Sequence, residues 1–514
     1  MTSPQFPKTA AEPLPAPKAE RPLGFLVKQG AIYSAAPILQ RVISIGMTRL
    51  YTEWLGRAGL GVKETVDLWA IALQQVLGFN VLGSMVRFYY DQQSDEDRNA
   101  VVTTCMLVVT LLAVVACGAL LLVAPGLTPL LLGRGGQVSE GELVSICTLM
   151  LVLVPFQLAT MSGLYYLQTL RRPALYTAIQ TAKFALEVSL NFYFIGARGL
   201  GVWGWLVSML IGEVVTATAL CGWILWRLRP RIVGRILRPI LAYSAPMVPV
   251  GVLQLFLHSL DRRFVLAQSQ EMAGVYGLGY KVAYLIVILL LGPFVLTWQP
   301  WIFGLESAKE RARMVARVGT YGVLSIAVAS LAVILGGRQA VQILAKDRSF
   351  WEAYRVVPFV ATGYVFWALY HVSQMPLFLD KRTGPLLTIN ALAVLLNATL
   401  NATLIPRYGI VGAAVATVTT FAVLAGMGMW AGRRAAGVSF ELGRLGGILA
   451  AVSAGGAGAL WVDWLEVSGR WSVVAALSVK AALFVVLVGA LWTLVLHADE
   501  RSRFTAWVAR RARG

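Results

Sequence analysis

The sequence predicts an all-α, polytopic membrane protein, and three observations carry that prediction. The chain has 514 residues, 58% of them apolar and only 13% Asp, Glu, Lys or Arg, where a soluble domain carries about a quarter. Its mean hydropathy is +0.70, and apolar runs of span length recur along most of its length. Basic residues gather between alternate runs, as they do in cytoplasmic loops. This composition excludes a water-soluble enzyme and a disordered scaffold. Loop charge accounts for much of the formal +19 without a nucleic-acid partner. Cys105, Cys117, Cys147 and Cys221 all fall inside apolar runs and read as small hydrophobes rather than disulfides or metal ligands.

Residues 1–28 carry six prolines (Pro4, Pro7, Pro13, Pro15, Pro17 and Pro22). No core can form there, so a solvated tail is expected. The tail lacks the apolar run and cleavage site of a secretory signal, so the first apolar run is expected to be a retained span. Crossing ~30 Å of hydrocarbon takes about 20 apolar residues. On that rule fourteen spans are expected, near 30–50, 66–90, 101–124, 141–167, 174–196, 200–226, 240–260, 272–297, 317–336, 355–378, 384–405, 409–431, 444–463 and 472–497. The connections are short and leave no room for a soluble catalytic domain.

Orientation follows from loop charge. With both termini cytoplasmic, 24 of the 44 Lys and Arg fall inside and 11 outside. The inside clusters are Arg171–Arg172, Arg227 to Arg238, Arg433–Arg434 and Arg501 to Arg513. The inside loop with Asp91, Asp95, Glu96 and Asp97 is acidic and runs against the trend.

A weak internal repeat spans the chain. Leu190-Asn191 and Leu400-Asn401 end spans five and eleven, an offset of 210, and Arg171-Arg172 matches Lys381-Arg382 at the same offset. Gly201-Val-Trp-Gly204 matches Gly409-Ile-Val-Gly412 at 208. Six spans separate the copies, so the halves would be parallel and related by an axis along the membrane normal. The expected organisation is a tail (1–28), two pseudo-symmetric six-helix lobes (29–230 and 231–436), two further helices (437–498) and a basic tail (499–514).

An ionisable side chain at mid-bilayer costs ~2.5–3.5 kcal/mol or more, so it should face a cavity or a partner. Arg41, Arg49, Arg87, Lys183, Lys281 and Lys480 are the basic candidates, and Asp67, Glu187 and Glu213 the acidic ones. The surplus is positive and suits an anionic cargo, since guanidinium and ammonium groups hold phosphate and diphosphate. Lys183 and Glu187, four apart on one helix face, either neutralise each other or form a site. Glu213 has no obvious neighbour in sequence. Lys480 is expected to snorkel outward. His258 and Asp261 end span seven, as a proton pair or a solvated helix terminus. His371 reads as a core histidine. Tyr89, Tyr90, Trp203, Trp205, Tyr276, Tyr280, Trp298 and Trp301 are expected mostly in the interface belt. Pro155, Pro246, Pro249, Pro293 and Pro358 supply helix breaks. No phosphate-binding loop and no His-Glu-x-x-His occurs.

Four features together resemble the bacterial oligosaccharide flippase (polysaccharide transporter) family, within the superfamily of multidrug exporters and the lipid II flippase. They are the fourteen spans with both ends inside, Arg87 at the inner end of span two, Asp261-Arg262 before Gly274-Val275-Tyr276, and Pro406-Arg-Tyr-Gly409-Ile-Val-Gly412-Ala413. Ala267 stands where that family often has Gly. The resemblance implies a non-enzymatic flippase of the bacterial cytoplasmic membrane without a cofactor. It would move an undecaprenyl-diphosphate-linked oligosaccharide between leaflets by alternating access. Membrane lipids, and the polysaccharide polymerase and glycosyltransferases of the same pathway, would be its partners. Arg87, Asp261 and Arg262 carry over by motif. With the charge reading, the substrate-binding set is Arg41, Arg49, Arg87, Lys183, Lys281 and Arg262, and the ion-coupling set is Glu213, Glu187 and Asp261. A multidrug-type small-molecule antiporter is the alternative.

Overall fold

The computed structural model describes residues 80–132, 139–305, 307–345 and 348–502, with most of 62–78 and scattered positions between 39 and 59. The described residues are helical and contain no strand. In chain order the helices are α1 (Val81–Asp91), α2 (Asp95–Leu122), α3 (Ala124–Leu132), α4 (Glu140–Thr169), α5 (Pro173–Asn191), α6 (Gly201–Leu228), α7 (Gly234–Ser244), α8 (Met247–Gln268) and α9 (Gln270–Ile286). They continue as α10 (Gly292–Phe303), α11 (Ala308–Leu344), α12 (Val357–Ser373), α13 (Met375–Leu379), α14 (Gly384–Ala436), α15 (Leu442–Val467) and α16 (Val473–Leu494). Two compact units result. Unit 1 holds the chain to Val252 plus Leu296–Leu305, and unit 2 holds Leu253–Val295 and Glu306 onward.

Among the described residues eleven helical stretches are long and apolar enough to cross a membrane. The protein is therefore an all-α, multi-pass membrane protein. The stretch Gly384–Ala435 covers two expected spans. Gly409 divides it, with φ 56° and ψ −134° in an otherwise helical run. The fifth expected span, α5, which carries Lys183 and Glu187, is not among the eleven. The first expected span lies outside the described residues.

Helix starts follow local chemistry. Ser94, Ser139 and Ser307 cap α2, α4 and α11, each accepting from the amide of the acidic residue three positions on (Asp97, Glu142 and Glu310). This Ser-x-x-Asp/Glu pattern satisfies amides that helix geometry leaves open and places negative charge at the positive end of the helix dipole. A π-helical turn, Val287–Leu291, precedes Pro293, and a second, Phe192–Ala197, ends α5. Proline removes an amide donor, and the local rewinding re-satisfies the carbonyls it frees.

The acidic residues of the loop expected inside find basic partners. Within unit 1, Arg231 pairs with Glu96 at 2.6 Å and Arg235 with Asp97 at 3.4 Å. The hydroxyls of Thr103 and Thr104 each donate to the Arg231 carbonyl at 3.1 Å. The acids therefore answer part of the basic cluster on the same end of the unit.

The repeat is visible in the turns. Arg171 has φ 54° and Lys381 φ 57°, left-handed values that non-glycine residues rarely adopt. The Arg172 amide donates to the Leu167 carbonyl, and the Arg382 amide to the Leu377 carbonyl, at 3.0 and 2.8 Å. These are the same helix-ending turn at the offset read from the sequence. Gly201 (φ 54°) and Gly409 (φ 56°) then open the next helix in each half.

The last two helices, α15 and α16, dock on α11 through charges at both ends. At one end Lys480 donates to Asp463 at 2.6 Å, and both side chains are only 3% exposed. Beside them Arg338 pairs with Glu466 at 3.3 Å and donates to the Asp463 carbonyl. The expected outward snorkelling of Lys480 is thus corrected: an acid on the neighbouring helix outweighs the reach to the interface. At the other end Glu500, just past α16, pairs with Arg317 at 2.8 Å and Arg444 at 2.7 Å, and accepts from Tyr321 and the His497 amide. Burial opposes ionising Glu500, but these hydrogen bonds outweigh it and hold its carboxyl down at about 2.

Two predictions follow from the docking. Lys480→Met leaves a buried carboxylate unpaired and is expected to cost about 3–5 kcal/mol of stability; combining it with Asp463→Leu should recover most of that loss in thermal unfolding. The Glu500 contribution is present above the ordinary carboxyl range and is lost as pH falls towards about 2. Glu500→Gln should therefore lower the midpoint at neutral pH and lose its effect progressively in acid.

Candidate functional site

In unit 1, α5 and α6 bring three predicted residues together. Lys183 forms a hydrogen-bonded ion pair with Glu213 across the two helices, and its Nζ lies 3.5 Å from Glu187 Oε1 on the next turn of α5. All three side chains are largely buried, Glu213 to 5% exposure. Sequence separation of thirty residues hid the Lys183–Glu213 partnership; adjacency of consecutive spans was the available signal. Asn191 and Tyr51 hydrogen-bond beside them at 2.8 Å.

Arg87, at the end of α1, pairs with Asp91 one turn on and lies 5.5 Å from the Phe303 ring. Next to it Arg171, read from sequence as loop charge, is buried. It donates to the Pro300 carbonyl at 3.0 Å and stands over the Tyr90 ring. Gln168 donates to the Leu296 carbonyl at 3.2 Å. These groups tie the segment Leu296–Leu305 into unit 1. Arg41 and Arg49 lie outside the described residues.

In unit 2, Asp261 near the end of α8 is completely buried. It accepts from the Tyr276 hydroxyl at 2.5 Å, the Arg262 amide at 2.7 Å and the Thr417 hydroxyl at 3.3 Å. It is neither a solvated terminus nor a partner of His258, whose Nδ1 meets the Tyr280 hydroxyl at 3.2 Å between the rings of Trp367 and Phe421. His371 Nδ1 is held by Gln374 at 3.0 Å, a satisfied core histidine. Along α14, Asn401 donates to Asn397 and Asn397 to Thr420, all buried. Sequence reading missed Tyr276, Thr417 and these amides as site residues. Tyr276 was assigned to the belt, but Tyr89, Trp205, Tyr276, Tyr280, Trp298 and Trp301 are buried. Buried rings of this size contribute heavily to packing.

The remaining basic candidates behave differently. Arg262 is exposed, with its guanidinium 4.6 Å from the Tyr280 ring, and Lys281 next in sequence is also exposed. Neither is in an ion pair among the described residues. Chemically the molecule thus offers a buried cluster of one ammonium and two carboxylates in unit 1, a buried carboxylate fed by three donors in unit 2, and accessible positive charge on α8 and α9. Among the described residues no three His, Cys, Asp or Glu side chains gather to hold a metal ion.

No family model and no curated protein matches the chain. Solved structures do. An outward-facing multidrug resistance MATE family transporter of the MOP superfamily aligns with TM-score 0.67 and 14% identity, covering 80% of this chain and 94% of that one. A MOP superfamily transporter from Pyrococcus furiosus, described by the reverse polarity of its binding pocket, aligns with TM-score 0.67 and 14% identity over 82% of this chain and 96% of that one. A Vibrio cholerae MATE transporter aligns with TM-score 0.64 and 13% identity over 80% and 97%. At these identities the likeness is one of fold, and the chain has the fold of the MATE transporters of the MOP superfamily.

Proposed function

We propose that this protein is an ion-coupled flippase. It moves a polyprenyl-diphosphate-linked oligosaccharide across the bacterial cytoplasmic membrane, with both termini inside, in cell-surface polysaccharide synthesis. It acts as a carrier and not as an enzyme. The observation that carries the reading is the charge at Lys281. It lies about nine residues into a span beginning at Met272, roughly 14 Å along the helix axis, yet it is exposed and has no carboxylate partner among the described residues. An ammonium so placed is costly unless an anion or water meets it. Arg262 adds a second accessible cation on the neighbouring helix. A diphosphate head satisfies both. The sequence motifs and the transporter fold support the same class. The Pyrococcus neighbour, whose reverse pocket polarity suggests a different function, is consistent with a different cargo class on this scaffold.

A multidrug-type antiporter shares the fold, and Asp261 among aromatic rings is the feature that favours it. In proteoliposomes, Lys281→Ala and Arg262→Ala should each slow flipping of a diphosphate-linked glycolipid about tenfold or more, the scale of one lost charge-assisted hydrogen bond. Lys281→Glu should slow it further. Wild-type rates in all three, or efflux of a fluorescent organic cation that Asp261→Asn abolishes, would overturn the flippase reading.

A further inference from the structure

We propose that Lys183, Glu187 and Glu213 form a proton-binding site in unit 1, and that Lys183 is its built-in counter-ion rather than a ligand for anionic cargo. The inference deepens the ion-coupled reading above by naming the ion and reassigning the lysine.

Charge count makes the first argument. One ammonium faces two carboxylates, 3.5 Å away on its own helix and in hydrogen-bond contact on the next. Among the described residues of the segment packed beside them, Tyr51 and, beyond it, the Lys63–Asp67 pair, self-neutralising at 2.7 Å, are the groups that face the cluster. Among the described residues the cluster therefore carries one surplus negative charge. Uncompensated charge in a membrane-spanning core costs several kcal/mol. A single proton on one carboxylate removes it.

The orphaned atoms make the second argument. Among the described residues Glu213 Oε2 is buried without a hydrogen-bond partner, and Glu187 Oε1 is met only by the ammonium 3.5 Å away. Buried carboxylate oxygens are ordinarily met by donors at hydrogen-bond distance, and the shortfall in this cluster marks where a proton would be held. The gain of a proton forms one O–H bond and takes the proton from water; its loss returns the proton to water, with no electrons moved.

The position of Lys183 selects the ion. Its Nζ occupies the place between two carboxylates that a metal cation would take, and a fixed ammonium repels a second cation there. A groove of about 400 Å³ between α5 and α6, lined by Ile179, Ala182, Leu220 and Trp223 among others, reaches Lys183. Gly212 permits the cluster: a Cβ at this position would lie 2.6 Å from Glu187 Cγ, so any larger residue pushes Glu187 off α6.

Infrared difference spectroscopy of the full-length protein in lipid bilayers, titrated over about pH 5–9, tests the site without any cargo. The expected result is one deuterium-exchangeable carboxylic C=O component that is indifferent to Na⁺. It should be lost in Glu213→Gln and in Glu187→Gln, because each leaves a neutral Lys–Glu pair, and kept in Asp261→Asn. Lys183→Met should double it. Should that variant fail to fold, the isosteric glutamine variants still decide. A component untouched by both glutamine variants, or one displaced by Na⁺, overturns the proposal. A confirmed proton site without glycolipid flipping in the same preparation would refute the flippase reading alone.

Discussion

In the hydrocarbon of a bilayer, neither a charge nor a backbone polar group can be left to solvent, and the rest of this molecule depends on that constraint. It forces the chain into helices, whose backbone groups satisfy one another. It also sorts every ionisable side chain in a span into one of three conditions: paired with an opposite charge, surrounded by donors, or open to water or a ligand. Lys480 with Asp463 and Arg338 with Glu466 are the first condition. Asp261, met by Tyr276, Thr417 and the Arg262 amide, is the second. Lys281 is the third.

This sorting separates charges that hold the architecture from charges left for transport. The ion pairs along α11, α15 and α16 join helices whose buried residues are otherwise mostly apolar. In lipid such contacts carry no hydrophobic driving force, so packing and polar pairing must supply the attachment. Arg87 and Arg171 perform a similar office in unit 1, binding the segment Leu296–Leu305 through carbonyls and rings. Free positive charge is then confined to few places, and these are where an anionic head can be attracted without first breaking a structural pair.

The two halves use one backbone plan with different polar content. The same left-handed turn closes the helix before α5 and the helix before α14. The helices that follow carry Lys183 and Glu187 in one half and the amides Asn397 and Asn401 in the other. Ionisable groups in one copy and neutral amides in the other give the halves distinct chemistry on a shared scaffold, as duplicated transporter folds allow.

Fold class, most span positions and the repeated helix-ending turn were legible in the sequence, because they rest on hydrophobic runs and turn residues, which are local. The Gly409 break and the Ser-x-x-acid helix starts were equally local. Partnership was not. Nothing in the order of residues joins Lys183 to Glu213, Lys480 to Asp463, or Asp261 to Thr417 across 156 positions, since a helix fixes which way a side chain points only relative to its own neighbours. Whether a buried charge is a lock, an ion site or a cargo contact depends on what the adjoining helix presents to it. The sequence alone determined that charges would lie inside the membrane; only tertiary packing decided which of them were already answered.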